Sequence, residues 1–264
     1  MSCELVTSGW YAANESRNYV THGDDLIRGV EFRPLWWRSL DTFVRPEHVF
    51  IVDSASPVKP NDAAYTATKF QYLELLTNPG HSQTSTMHYA GYMAAVILGL
   101  EFALLNDVDM FLYVEQDALL FGAGIVEKTK NALRRKDLVF GAGSGLDIQQ
   151  SFFAATKKGI RQFLSALHAI DYSDKRVAPE HKFMFAASRF LPSTLIGLAE
   201  HTPIDKLRVA GLTLFARACS LSKNYEVLPF GYGRDRPINF DDDVFYFQHG
   251  SADELLQYKK RTGF

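Results

Sequence analysis

The chain is short of cysteine, of like-charge runs and of long apolar runs, and each shortage closes off a class of protein. Only Cys3 and Cys219 occur in 264 residues, far apart and outside any Cys-x-x-Cys pair, so neither a zinc cluster nor a disulfide framework is expected. A reducing, cytoplasmic setting fits that usage. Lys and Arg number 28 against 30 Asp and Glu, and no basic run exceeds Arg134-Arg135-Lys136. That near-balance offers no footprint for a polyanion, so nucleic acid is not an expected partner. The one membrane-like stretch, Tyr89 to Leu105, is interrupted by Glu101 and falls short of the ~20 apolar residues that a spanning helix needs. No transmembrane segment is expected. The opening residues, Met1-Ser2-Cys3-Glu4-Leu5-Val6, also lack the basic and apolar segments of a secretory signal. Three catalytic patterns are missing as well: a Gly-x-x-x-x-Gly-Lys-Ser/Thr phosphate loop, a Gly-x-Ser-x-Gly nucleophile elbow and a His-Glu-x-x-His zinc site.

What the chain does have is enough apolar sequence, 47% of residues, to build one substantial core, and a single domain over 1–264 is expected. Its centre is Met110-Phe111-Leu112-Tyr113-Val114 followed by Glu115-Gln116-Asp117. Five apolar or aromatic residues predict a strand buried on both faces, and it stops abruptly at two acids. If the chain stays extended there, Glu115 and Asp117 project to one side and Gln116 to the other. Two carboxylates held together raise each other's pKa unless water or a cation reaches them, and a divalent cation removes the conflict. Oxygen ligands suit Mg²⁺ or Mn²⁺, and Mg²⁺ is commonly held by one or two carboxylates plus substrate phosphates. The alternative is a solvated strand-to-helix connection in which one acid caps a helix.

Around that centre the periodicities alternate. Glu4-Leu5-Val6-Thr7 predicts a first strand running into a loop at Ser8-Gly9-Trp10-Tyr11. Asp24 to Phe43 has helical spacing broken near Pro34, and His48 to Val52 is a second strand ending at Asp53. Asp53 suits a hydrogen bond to a ribose or base, or merely opens a turn ahead of Pro57. Phe70 to Leu76 is predicted as a short helix and Tyr89 to Leu105 as a long one. The small residues Gly91, Ala94, Ala95 and Gly99 of that long helix are explained by close packing alone. Helix Ile125 to Arg135, strand Asp137 to Phe140, strand Gln149 to Ala154 and helix Lys157 to Ile170 follow.

The second half is looser. Helices are predicted from Glu180 to Phe190 and from Leu207 to Ala218, a strand from Tyr225 to Leu228, another ending at His249, and a last helix capped by Ser251. Glu180 opens its helix, where an acid complements the dipole; a general base is the functional alternative. Arg234 and Arg236 share a loop with glycines and aromatics, which suits phosphate or sugar, or else they pair with nearby acids. Asp241-Asp242-Asp243 and His249 cannot serve one metal across an extended strand of about 20 Å, so His249 is better placed for a metal held by another strand. A solvated or core histidine is its plain alternative. The element order predicts an α/β fold, a mostly parallel sheet flanked by helices with an α+β second half.

These residues resemble a glycosyltransferase of the GT-A type. The likeness rests on the nucleotide-binding pattern of the first half, on Asp53, on Glu115-Gln116-Asp117 where that family has its Asp-x-Asp motif, and on His249 late in the chain. The resemblance implies a Rossmann-like nucleotide-sugar half at about 1–122 and an acceptor half at about 123–264. It implies that Asp117 and His249, with Glu115, hold Mn²⁺ or Mg²⁺, and that Thr7, Ser8, Asp53, Glu115, Gln116, Arg234 and Arg236 contact a nucleoside-diphosphate sugar donor. Glu180 is then the base that activates the hydroxyl of a glycan or small-molecule acceptor, in an inverting transfer. Glu115 departs from the motif's first Asp, which puts its direct metal contact in doubt. The competing readings are a nucleotidyltransferase of related fold, which usually shows a basic glycine-rich loop after strand one, and a non-catalytic glycan- or nucleotide-binding module.

Overall fold

In the computed structural model, residues 3–13, 23–59, 70–143, 148–189, 196–197 and 201–264 are described. Among them a seven-stranded sheet runs in the order β3-β2-β1-β4-β7-β6-β8. Its strands are β1 (Cys3–Trp10), β2 (Pro46–Asp53), β3 (Phe70–Glu74), β4 (Met110–Val114), β6 (Leu138–Gly141), β7 (Gln149–Thr156) and β8 (Glu226–Val227). Strands β3, β2, β1 and β4 are parallel, β7 is antiparallel to both β4 and β6, and β8 is parallel to β6. A separate two-stranded ribbon pairs β5 (Ala118–Phe121) antiparallel with β9 (Phe245–Gln248). The α/β class is as the sequence predicts.

Helices cover both faces, as a sheet buried on two sides requires. One core gathers Leu35, Trp36 and Leu40 of α1 (Arg33–Phe43), Val126 of α3 (Ile125–Leu133) and Tyr258 of α7 (Ala252–Thr262), together with the β5/β9 ribbon. The other gathers Val96 and Leu100 of α2 (Gly91–Leu105), Phe163 of α4 (Lys157–His168), Phe183 of α5 (Pro179–Ala186) and Leu212 of α6 (Asp205–Ser220). Helix α2 lies close on β1: a Cβ at Gly99 would meet Thr7 Oγ1 at 2.8 Å, so the small-residue face is used for packing. Helix α7 opens with the capping box Ser251/Glu254, which satisfies two end groups reciprocally.

The observed elements correct four expectations. Residues 70–74 form an edge strand rather than a helix, because a five-residue segment is too short for periodicity to decide and the β2 edge offers a full parallel ladder from Val49↔Phe70 to Asp53↔Glu74. Pro34 does not break a helix; it stands in the first turn of α1, where its missing N–H costs nothing, and two short 3-10 turns, Asp25–Arg28 and Val30–Phe32, precede it. Strand β1 runs on to Trp10, since β2 supplies partners as far as Trp10↔Asp53, so Ser8 to Trp10 are not loop. Finally, the chain is not extended through residues 115–117: Ala118 N donates to Glu115 O at 3.0 Å, closing a turn that sends β5 away from the main sheet.

Candidate functional site

Strand order reverses between β1 and β4, the switch point outside whose carboxyl ends open α/β sheets bind ligands. Two side chains bridge the tips. Gln116 Oε1 accepts from Tyr11 N at 2.8 Å and its Nε2 donates to Tyr11 O at 3.3 Å, which fastens the end of β1 to the acid turn. Trp36 Nε1 donates to Glu115 O at 3.0 Å, and Glu115 N donates to Ser151 O at 2.9 Å. The turn is therefore held from α1, β1 and β7 at once. Gln116 serves here as a brace between strand tips.

Because the turn rotates successive residues, the two acids meet consecutive residues at the end of β9. Gln248 Nε2 donates to Glu115 Oε2 at 2.6 Å, and His249 Nε2 lies 3.2 Å from Asp117 Oδ2. The Asp117 and His249 side chains are only 7% and 12% exposed. His249 reaches back because its backbone is left-handed, with φ +58°, a conformation that costs a non-glycine residue roughly 1–3 kcal/mol unless its surroundings impose it. They do impose it here. Arg236 Nη2 donates to Gln248 O at 2.8 Å and to His249 O at 3.2 Å while its Nε pairs with Glu254 of α7. Gly23 sits against the same peptide so closely that a Cβ would come within 2.6 Å of His249 C and O.

The nearby phenols register which charges converge. Desolvation pushes the Tyr113 phenol well above its ordinary pKa, and Glu115 and then Asp117 add to that. Tyr92 is raised well above its ordinary value by desolvation first, then by Tyr113, Glu115 and Glu180, while Arg234 pulls it down. The two rings meet edge to face at 5.7 Å. Glu180, exposed in the first turn of α5, and the exposed Arg234 thus both act on the Tyr92 phenol, as Glu115 does. Helix α5 is fixed there by Lys182, which pairs with Asp174 at 2.7 Å while the other Asp174 oxygen accepts from Ala90 N at the start of α2.

The remaining predicted residues are placed differently from the expectation. Thr7 and Ser8 are wholly buried within β1, short of its tip, because that strand continues to Trp10. What stands at the tip is Tyr11. Asp53 does end β2, but its Oδ1 accepts from Ser56 N at 2.9 Å and its Oδ2 pairs with Lys59, so the turn-opening alternative is realised. Lys59 also reaches Glu74 at 2.7 Å. Arg236 donates to the Gln248 and His249 carbonyls and pairs with Glu254, and Arg234 is exposed. Asp242 accepts from Tyr232 and Asn239, so the triple Asp shapes a turn. Sequence reasoning passed over Gln248, Trp36 and Tyr92. Gln248 carried a signal, a lone amide closing an apolar strand, whereas Trp36 and Tyr92 fell on helical positions that read as core.

Among the described residues no group of three or more His, Cys, Asp or Glu side chains gathers at metal distance. The Asp117/His249 pair nevertheless fits a cation that draws its other ligands from water and phosphate. Cis donors on an octahedral ion with bonds of about 2.1 Å stand ~3 Å apart, close to the 3.2 Å seen here. An imidazole beside the carboxylate favours Mn²⁺ over Mg²⁺. Glu115, expected as a third ligand, instead has an oxygen engaged by Gln248.

Fold and site together define an α/β protein with a doubly covered, mostly parallel sheet and a turn bearing two acids at its switch point. No family model and no curated protein matches the sequence. Among solved structures, the chain is similar to 4-diphosphocytidyl-2C-methyl-D-erythritol synthase from Anaerococcus prevotii, with TM-score 0.39 and 15% identity over 65% of this chain and 78% of that one. It is also similar to residues 1–349 of S. aureus TarS in complex with UDP, with TM-score 0.47 and 12% identity; the match covers 98% of this chain and 63% of that one. No helix among the described residues is long and apolar enough to cross a membrane.

Proposed function

We propose that this protein is a glycosyltransferase that moves a sugar from a nucleoside-diphosphate donor to an acceptor hydroxyl, with Mn²⁺ or Mg²⁺ held by Asp117 and His249. The observation that carries the reading is the 3.2 Å approach of His249 to Asp117 at the switch point, made by a left-handed residue that Arg236 and Gly23 hold in place. When bound, the cation supplies positive charge against the leaving diphosphate.

The chain's own residues divide the rest of the work. Gln116 and Tyr11 keep the β1 and β4 tips together, beside which the nucleotide would lie. Arg234, exposed beside the acid turn, offsets negative charge that develops on the diphosphate. Glu180, exposed in the first turn of α5, accepts the proton of the acceptor hydroxyl as that oxygen attacks the anomeric carbon and the bond to the diphosphate breaks. Attack opposite the leaving group inverts the anomeric centre. Glu115 binds through Gln248 to the end of β9 and keeps Asp117 and His249 in register.

The test is hydrolysis of sugar nucleotides in the absence of acceptor, together with thermal shifts by nucleoside diphosphates with and without Mn²⁺. Expected are metal-dependent stabilisation, which follows from mass action, and turnover lost in Asp117→Ala. Equal shifts after chelation would sink the cation assignment. Binding without any turnover would instead identify a sugar-nucleotide-binding module.

A further inference from the structure

We propose that helix α6 is an interfacial helix that seats the protein on an anionic phospholipid surface; the inference is independent of the reading of the acid turn. Ile204, Leu207, Gly211, Leu214, Ala218 and Leu221 follow one another at alternating spacings of three and four, the repeat that gathers side chains into one stripe along a helix. Helix α6 realises that repeat, with Ile204 and Leu221 as its caps. Such a stripe is ordinarily the one a helix buries. Here the buried set is another, Arg208, Leu212, Ala216 and Cys219, and on α5 His181 Nε2 meets Thr213 Oγ1 at 3.2 Å. The stripe is left to solvent: Ile204 is 55% exposed, Leu207 59%, Leu214 64% and Leu221 90%. At about 1.5 Å per residue it runs for roughly 26 Å, and a contiguous apolar surface of that kind marks an interaction site.

What borders the stripe selects its occupant. Between residues 201 and 224 Asp205 is the sole acid, against Lys206, Arg208, Arg217 and Lys223, although the whole chain carries a formal charge of −2. Asp205 is already taken by Arg208 at 2.9 Å. Lys206 and Arg217 are exposed and make no ion pair with a described residue. Three turns of helix separate them, so they stand on one line, and Arg217 lies one turn from both Leu214 and Leu221. Arg189 N donates to Ser222 O at 3.0 Å, which brings another exposed arginine to the end of the stripe. A second copy of the chain would set these cations against their own kind, with Asp205 spent on Arg208. Protein partners are commonly anchored by aromatic rings, and the stripe has none. A bilayer with anionic headgroups needs only what is present: aliphatic side chains to enter the acyl boundary, and Lys or Arg whose long stems reach the phosphates. A helix so equipped lies in the interface rather than crossing it.

The test is co-sedimentation of the full chain with vesicles of phosphatidylcholine alone and of phosphatidylcholine with about one-third phosphatidylglycerol, at low and high salt. Expected is binding to the mixed vesicles that weakens in high salt and is about tenfold or more weaker on phosphatidylcholine alone. Leu207→Ser with Leu214→Ser should lower vesicle affinity on the order of a hundredfold. Lys206→Glu with Arg217→Glu should lower it about tenfold or more. Both variants should keep the wild-type melting temperature, because all four side chains are exposed. Failure of the wild type to bind either vesicle, equal binding to both, or unchanged binding by the leucine variant overturns the inference. A concentration-dependent dimer that the leucine variant loses, with vesicles ignored, gives the face to a second copy and overturns it as well.

Discussion

Asp174–Lys182 and Asp117–His249 are both buried pairs of opposite chemistry, and their surroundings differ in instructive ways. The first is sealed, with both side chains at 0% exposure, a 2.7 Å contact, the second Asp174 oxygen on Ala90 N and the Tyr89 ring 5.1 Å from the ammonium. Desolvation raises the Asp174 carboxyl and lowers the Lys182 ammonium, so burial works against both charges and only complete pairing keeps them. The second pair stands at a strand tip, retains slight exposure on both sides and depends on a left-handed histidine. A sealed pair spends its donors on the protein and acts as a clamp, here fastening α5, which carries Glu180, to the start of α2.

Breaking either pair tests that contrast. The largest effect expected is on the clamp: Asp174→Ala leaves a buried ammonium uncompensated and should cost about 3–5 kcal/mol, or roughly 10 °C in melting temperature, read by thermal denaturation. A loss no larger than that of a surface substitution would remove the distinction. Asp117→Asn should leave melting within a few degrees of wild type while lowering metal-dependent hydrolysis about 100- to 1000-fold, equivalent to ~3–4 kcal/mol, measured by steady-state kinetics. Glu180→Gln should slow transfer to acceptor on a similar scale with donor affinity unchanged, seen as a fall in kcat at constant KM for the donor.

A milder substitution approaches the rim pair from outside. Gly23→Ala puts a methyl against the His249 peptide and should destabilise by about 2 kcal/mol while also reducing hydrolysis, although residue 23 belongs to neither pair. Retained activity at reduced stability would show that the position of His249 is not decisive. The smallest effect concerns the thiols. Cys3 is fully buried, and burial pushes its thiol up to about 12 from an ordinary 9.0. Cys219 is also buried and raised. Neither should react with a disulfide reagent at pH 8 until the chain is unfolded. Because the folded Cys3 pKa is the higher one, its contribution to stability is complete below about pH 9 and declines as pH rises towards 12. Rapid labelling of the native chain would contradict that burial.

Much of the architecture was legible in the order of residues because it depends on local pattern. The apolar run Met110 to Val114 is a strand buried throughout, and the stretch Tyr89 to Leu105 contains a long helix, Gly91–Leu105. Ser251 declared the last helix, and the structure adds Glu254 as the second half of its capping box. Residues 70–74 misled because five residues fit a helical turn and a strand equally, and the neighbouring β2 edge decided between them. Expectations on residues such as Phe190 fall outside the described ones. At the site, the acids and His249 were conspicuous as polar residues closing apolar runs, yet the partner of each was not. Gln248 for Glu115 and Tyr11 for Gln116 are separated by 133 and 105 positions.

By itself, then, the sequence determined the class of fold and the kinds of side chain available at the strand ends, since hydrophobic periodicity and end signals act over a few residues. Only tertiary structure decided which of them meet. A turn at residues 115–117 swings the two acids onto the end of β9, Arg236 and Gly23 hold His249 beside Asp117, and Asp174 ties the helix that carries Glu180 to the start of α2. Each of those contacts joins segments distant along the chain, and its energy comes from burial and hydrogen bonding that exist only once the sheet has assembled.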